Sequence, residues 1–430
     1  MLADVLTVLV FLSGLSAFRA RQVPVFELRG DTPGDYFGVA VAGGGDVNGD
    51  RIPDILIGAY NYAQQLPWLE LAGQSKPVAG YVKVFSGRDG GLLHTLRGDS
   101  NAYGFGMDVA DAGDVDKDEH ADIIVASPYM SARALVGPGS MTSGLAHVYS
   151  GKDGSLLATL SDKSKDLGFG MSVFGAGDLN GDGHADVAVG YPHLTDIGLV
   201  LVYSGRDWSV LLRLEAAQGE KGFGESAGNA GDVDGDGVSD VIVGARRAGL
   251  DDSNKGLAKV FSGKTGKVIH AWPGDQTSAY FGSSLAGLGD LDGDGRPEIL
   301  VCAQGLDRYG PNAGGAFVYS GREGSLLFFI DGPEEGAEFG IDCCALRDAN
   351  GDEIPDFAIA EWETAGRTRV YSGKDGSLLF DCPGTATGSL GDIDGDGFGD
   401  LLTGAVKENE PGTARAFSVA KALSGAVKKR

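Results

Sequence analysis

The apolar residues of the chain fall in many short runs closed by small residues, as in ILIGAY (55–60), IIVASP (123–128), VAVGYP (187–192) and VIVGAR (241–246). No stretch between such runs carries a 3.6-residue period, so the pattern predicts strands. Each run follows a polar nine-residue pattern, D-x-[DN]-x-D-x-x-x-[DE], whose seven copies begin at Asp46, Asp114, Asp178, Asp232, Asp290, Asp348 and Asp392. Upstream of six copies stands an aromatic-glycine pair: Phe37-Gly38, Phe105-Gly106, Phe169-Gly170, Phe223-Gly224, Phe281-Gly282 and Phe339-Gly340. The seventh copy has only TATGSLG (385–391), the degenerate end that repeat arrays commonly show. Downstream, a strand enters a charged turn, as in AHVYSGKDGSLL (146–157) and TRVYSGKDGSLL (368–379). The glycines of that turn are expected to supply positive φ between two strands.

Each unit therefore holds four strands, and copies begin 44 to 68 residues apart, one four-stranded blade per copy. Radial repetition of such sheets gives an all-β, seven-bladed β-propeller. The last unit stops after its third strand, around 414–419. The missing fourth strand is found at the other end, where VFELRGDTPGDYFG (25–38) parallels LLHTLRGDSNAYGFG (92–106). The N-terminal strand is thus expected to complete the last blade and close the ring. The expected blades are 36–97, 103–161, 167–215, 222–272, 280–331, 338–382 and 386–419 plus 24–29. They are preceded by a signal peptide over 1–20 and followed by a basic tail over 420–430. The signal rests on an apolar run from Val5 to Phe18, too short to span a bilayer.

The polar pattern has the chemistry of a calcium loop. Calcium takes six to eight oxygen ligands, and side chains at positions 1, 3, 5 and 9 with the carbonyl of position 7 supply them from one turn. The first copy offers Asp46, Asn48, Asp50 and Asp54 with the Ile52 carbonyl. The second offers Asp114, Asp116, Asp118 and Asp122 with that of His120, the third Asp178, Asn180, Asp182 and Asp186 with that of His184. The fourth has Asp232, Asp234, Asp236, Asp240 and Val238; the fifth Asp290, Asp292, Asp294, Glu298 and Arg296. The sixth has Asp348, Asn350, Asp352, Asp356 and Ile354; the seventh Asp392, Asp394, Asp396, Asp400 and Phe398. An EF-hand would need Glu at position 12, where this chain has strand residues such as Ile57 and Val243. Gly237 at position 6 lets the backbone turn sharply, whereas Arg51, Glu119 and Glu353 stand there in copies one, two and six, where weaker binding is expected. Up to seven Ca²⁺ ions, one per blade, are expected, holding the fold rather than regulating it.

Aromatic-glycine, then an Asp-rich loop, then Gly-Ala, resembles the FG-GAP repeat and the propeller of integrin α subunits over residues 24 to 419. The resemblance implies a seven-bladed propeller with calcium between the first and second strands of the blades. The pattern departs from integrins in carrying a loop in every blade and no D-x-S-x-S adhesion motif, and is closer to bacterial FG-GAP proteins. Some fungal lectins share the seven blades and calcium loops.

Composition narrows the function. Glycine numbers 72 against 15 prolines with no G-X-Y period, which excludes collagen. A net charge of −25 makes nucleic acid an unfavourable partner. Beyond the N-terminal run no apolar stretch suits a membrane span. Cys302, Cys343, Cys344 and Cys382 lack metal spacing and are read either as buried thiols or as containing one disulfide. Arg97-Gly98-Asp99 and Arg29-Gly30-Asp31 sit where Pro273-Gly274-Asp275 also occurs, so Gly-Asp belongs to the blade connection. Gly224-Glu225-Ser226-Ala227-Gly228 mimics an esterase elbow but falls within a first strand. The longer second-to-third-strand connections, 61–79, 129–143, 246–255 and 304–313, carry or adjoin Tyr60, Tyr62, Trp68, Tyr129 and Tyr309, which suit recognition. The expected function is a monomeric, non-catalytic binding or adhesion scaffold, secreted, cell-surface or periplasmic, whose protein or glycan ligand meets the insertion-loop face. The alternative is a carbohydrate-active enzyme, a polysaccharide lyase or hydrolase using a carboxylate pair in the central channel.

Overall fold

A computed structural model describes residues 24–60, 79–98, 104–128, 144–162, 168–192, 198–249, 253–362, 366–407 and 409–419. The expected signal peptide, the basic tail, Tyr62, Trp68, Tyr129 and Asp99 lie outside them. The strands form seven four-stranded antiparallel sheets, the blades of a β-propeller. Blade 4 is typical: Phe223–Gly231, Asp240–Ala245, Leu257–Phe261 and Val268–Pro273 pair in sequence order. Blade 7 is split as expected. Ala386–Gly391, Asp400–Ala405 and Thr413–Phe417 are completed by Phe26–Arg29, with Phe26 opposite Ala416 and Arg29 opposite Thr413.

The strands differ in burial because of their place in the blade. Second strands such as Asp122–Ser127 and Asp240–Ala245 are buried at every residue, sandwiched between sheets, which is why they read as continuous apolar runs. Fourth strands lie on the outer edge and bury one side chain deeply, as Leu96, Leu160, Leu214 and Trp272 do. Among the described residues the apolar core falls into seven clusters, each shared by two neighbouring blades. Phe105, Val109 and Ile123 of blade 2 pack with Leu56, Val82 and Val84 of blade 1. The ring closes where Leu28, Leu402 and Ala414 of blade 7 meet Phe37, Val41 and Ile57 of blade 1.

The aromatic-glycine pair builds each boundary. Its phenyl ring is buried in all six copies. Its glycine has φ between 83° and 98° in blades 2 to 6 and 87° in blade 1, a conformation L side chains avoid. The carbonyl of that glycine lies against the preceding blade: a Cβ on Gly58 would stand 2.1 Å from the oxygen of Gly106. The next-to-last residue of the second strand is accordingly glycine in four blades, where this carbonyl comes closest.

Candidate metal centres and their neighbours

In blade 4 the acidic loop is a set of nested turns held by its own carboxylates. Asp232 Oδ1 accepts the Asp236 amide, its Oδ2 the Gly237 amide, and Asp236 Oδ1 the Val238 amide. Asp240, at position 9, accepts the amides of Val233 and Asp234 through Oδ2 and of Gly263 through Oδ1. Gly263 belongs to the turn between the third and fourth strands, so this carboxylate ties the two turns of that face together. The same bond runs from Gly87 to Asp54, Gly151 to Asp122, Gly205 to Asp186 and Gly373 to Asp356.

Position 6 is left-handed in every loop. Gly183, Gly237, Gly295 and Gly397 take it freely, whereas Arg51, Glu119 and Glu353 are held there at φ 66–69°. Acidic oxygens converge in four loops: Asp114, Asp116 and Asp122; Asp232, Asp234 and Asp240; Asp290, Asp292 and Asp294; and Asp392, Asp394 and Asp400, each set with ligand atoms within 4.8 Å of one another. Copies one and six instead turn an amide inward, Asn48 Nδ2 donating to Asp54 Oδ1 and Asn350 Nδ2 to both oxygens of Asp356.

Electrostatics shows what these loops need. Burial, reinforced by neighbouring loop carboxylates and opposed by backbone amides, pushes Asp54, Asp122, Asp240 and Asp356 up to about 6. The same causes push Glu298 and Asp400 up to about 7. Asp400 Oδ1 is buried without a hydrogen-bond partner. The third strand of blade 7 is followed by Ser418-Val419, where the other blades have Ser-Gly. An all-oxygen donor set with an orphaned buried carboxylate oxygen fits a hard divalent cation of the calcium type. The imidazoles of position 7 are not part of that set. His120 and His184 turn to the carbonyls of Val47 and Val115 in the preceding loops, leaving only their own carbonyls for a metal.

Sequence reading missed two groups beside the loops. The cation of the Ser-Gly-Lys/Arg turn reaches position 5: Arg88 to Asp50 at 3.0 Å, Lys152 to Asp118 at 3.5 Å, Lys264 to Asp236 at 3.7 Å and Arg322 to Asp294 at 3.1 Å. The signal was present, a basic residue recurring at one repeat position, but strand pairing alone does not reveal what it faces. The second group links loops around the ring. The position 8 amides of Ala121, Ala185 and Gly399 donate to the position 1 carbonyls of Asp46, Asp114 and Asp348 in the preceding loops.

The tempting motifs have structural partners. Ser226 lies in the first strand of blade 4 and donates to the Gly282 carbonyl of blade 5. Arg29 pairs with Glu27, and Arg97 stacks on Tyr81. Asp108, directly before the first strand of blade 2, and Asp342, which opens that of blade 6, are pushed up by burial to about 7 and about 6, Asp108 also by the Asp342 charge. Each also binds the next blade, Asp108 accepting the Val173 amide and Asp342 the Thr387 amide and hydroxyl. All four cysteines are free thiols.

The FG-GAP repeat model matches residues 37–85, 169–203 and 281–319. These spans are blades 1, 3 and 5 from their Phe-Gly to the end of their third strands. The chain carries FG-GAP repeats. It is 29% identical over 280 residues to integrin alpha-5 of Xenopus laevis, covering 58% of this chain and 25% of that one. Integrin alpha-7 of Mus musculus is 36% identical over 159 residues, covering 35% of this chain and 13% of the relative. Integrin alpha-4 of Xenopus laevis is 30% identical over 193 residues, 43% of this chain and 17% of the relative. The FG-GAP chain thus matches a quarter or less of the length of these integrin α chains. The seven blades form an integrin-α-like propeller, and no helix among the described residues is long and apolar enough to cross a membrane.

Proposed function

We propose that the protein is a calcium-stabilised propeller that binds a protein or glycan and performs no chemistry. The ions would be held by the oxygen ligands at positions 1, 3, 5 and 9 and the position 7 carbonyl of up to seven loops. Positions 1 to 9 would then turn from a repulsive cluster into a rigid turn. The observation carrying this reading is the repeated position 9 carboxylate, buried, raised in pKa and clamped to the neighbouring turn in blade after blade. A group repeated around a ring and buried in each copy supports a frame, not a single active site.

Binding would fall to the opposite face. There the second-to-third-strand connections present Tyr309 and Trp362, two of the exposed large apolar side chains among the described residues. Likeness to integrin α chains supports a binding role. The reading includes a monomer at a cell surface, in a periplasm or in secretion. The deciding experiment is a glycan array with purified protein in calcium, repeated after chelation. Binding that vanishes on chelation supports a glycan receptor, and a silent array moves the assignment to a protein ligand. Turnover of a polysaccharide panel would overturn the non-catalytic reading.

A further inference from the structure

Two residues break the repeat at one boundary. The next-to-last residue of the second strand is Gly58, Ala126, Gly190, Gly244, Ala360 or Gly404 in six blades, and Cys302 in blade 5. The facing position of the first strand is Val41, Val109, Val173, Ala227, Leu285 or Thr387 in six blades, and Cys343 in blade 6. Elsewhere the place of Cys302 is kept small by the Phe-Gly carbonyl of the next blade, at 2.0–2.3 Å from a Cβ built on Gly58, Gly190, Gly244 or Gly404. In blade 5 the side chain is accommodated, and a Cβ on Gly340 of blade 6 would lie 2.8 Å from Cys302 Cβ. Cys343 reaches back from blade 6. Its Sγ lies 3.3 Å from Ser284 Oγ of blade 5, and Cys302 is the neighbour that raises its thiol most strongly. Both thiols sit in the one apolar cluster shared by blades 5 and 6. Two separate departures from the repeat therefore meet across a single boundary.

We propose that Cys302 and Cys343 form a latent cross-link, a dithiol that a disulfide reagent converts into a bond tying blade 5 to blade 6. One cysteine sulfur attacks the reagent RSSR, forming a mixed disulfide and expelling one RSH. The second sulfur displaces the remaining RS group as RSH, so two thiol protons and two electrons pass to the reagent. The bond joins residues about 40 apart in sequence, so it also constrains the open chain. Contact with Cys302 and burial raise the Cys343 thiol well above its ordinary range, which keeps it protonated and inert in the closed ring. Exchange accordingly runs before blades 5 and 6 dock, or during their transient opening.

The test is refolding of the full chain with oxidised glutathione, followed by alkylation in denaturant, thiol counting and peptide mapping. The expected result is two alkylated thiols, a Cys302–Cys343 peptide, and its return to free thiols on reduction. Cys302→Ala and Cys343→Val carry residues that other blades use at these places, so each should fold and lose that peptide. Four free thiols, glutathione adducts alone, or a Cys344–Cys382 peptide in place of Cys302–Cys343 would overturn the assignment.

Discussion

At the scale of single residues, position 9 does two jobs. Asp240 accepts three backbone amides from two turns, so its removal leaves buried donors unpaired. Asp240→Ala is expected to cost roughly 2–4 kcal/mol in calcium, read by urea unfolding. The same group sets the pH response of the chain in chelator. The folded values near 6 for Asp54, Asp122, Asp240 and Asp356, and near 7 for Glu298 and Asp400, exceed the ordinary value of about 4. The native chain then binds more protons than the unfolded chain between about pH 4 and 7, so its stability falls as pH rises through that window. In saturating calcium the slope should reverse, because binding requires ionised ligands. Unfolding midpoints at pH 5 and 7.5, with chelator and with calcium, check both signs, and a midpoint rising with pH in chelator would count against the buried-carboxylate argument. The ligand positions were legible because a nine-residue pattern in register seven times fixes which side chains converge. The cations Arg88, Lys152, Lys264 and Arg322 were not, since what they touch depends on the blade's fold and not on local spacing.

At the scale of the element, the Ser-Gly turn shows how one residue type serves two ends. The sequence suggests that its glycines all supply positive φ, and this holds for the later one, Gly90, Gly154, Gly266, Gly324 and Gly376. The first one is needed for room: a Cβ on Gly263 would stand 1.8 Å from the Ser239 carbonyl oxygen, and the corresponding gap is 1.9 Å at Gly87 and Gly151. That glycine must approach closely so that its amide reaches position 9. Gly263→Ala is therefore expected to cost about 2–4 kcal/mol, and Gly266→Ala, strained at φ 68° but without a backbone clash, about 1 kcal/mol. Comparative urea melts would decide, and equal losses would remove the close-approach argument. Strand identity was legible from periodicity and turns, but the division of labour between two glycines three residues apart depends on the acidic loop that the folded blade brings against the first of them.

At the scale of the whole molecule, the ring is held at its seam by four residues of the N-terminus. Leu28 joins the cluster shared by blades 7 and 1, and Glu27 pairs with Arg415 at 3.1 Å. Deleting Phe26–Arg29 should lower the melting temperature and bare the edge of Thr413–Phe417, giving concentration-dependent association in size-exclusion chromatography. A monomer with an unchanged melt would mean that the seam does not hold the ring. The split blade was legible because the repeat phase left one strand over before the first unit and one missing from the last. The shared clusters between blades were not, since packing across blades joins residues whose spacing follows no fixed pattern. The seam also sets a clock for biosynthesis. Glu27 leaves the ribosome 388 residues before its partner Arg415, a wait of roughly 20–80 s at 5–20 residues per second. Through that interval an unpaired strand and six growing blades stand open, so the ring can be completed only after Thr413–Phe417 has been translated.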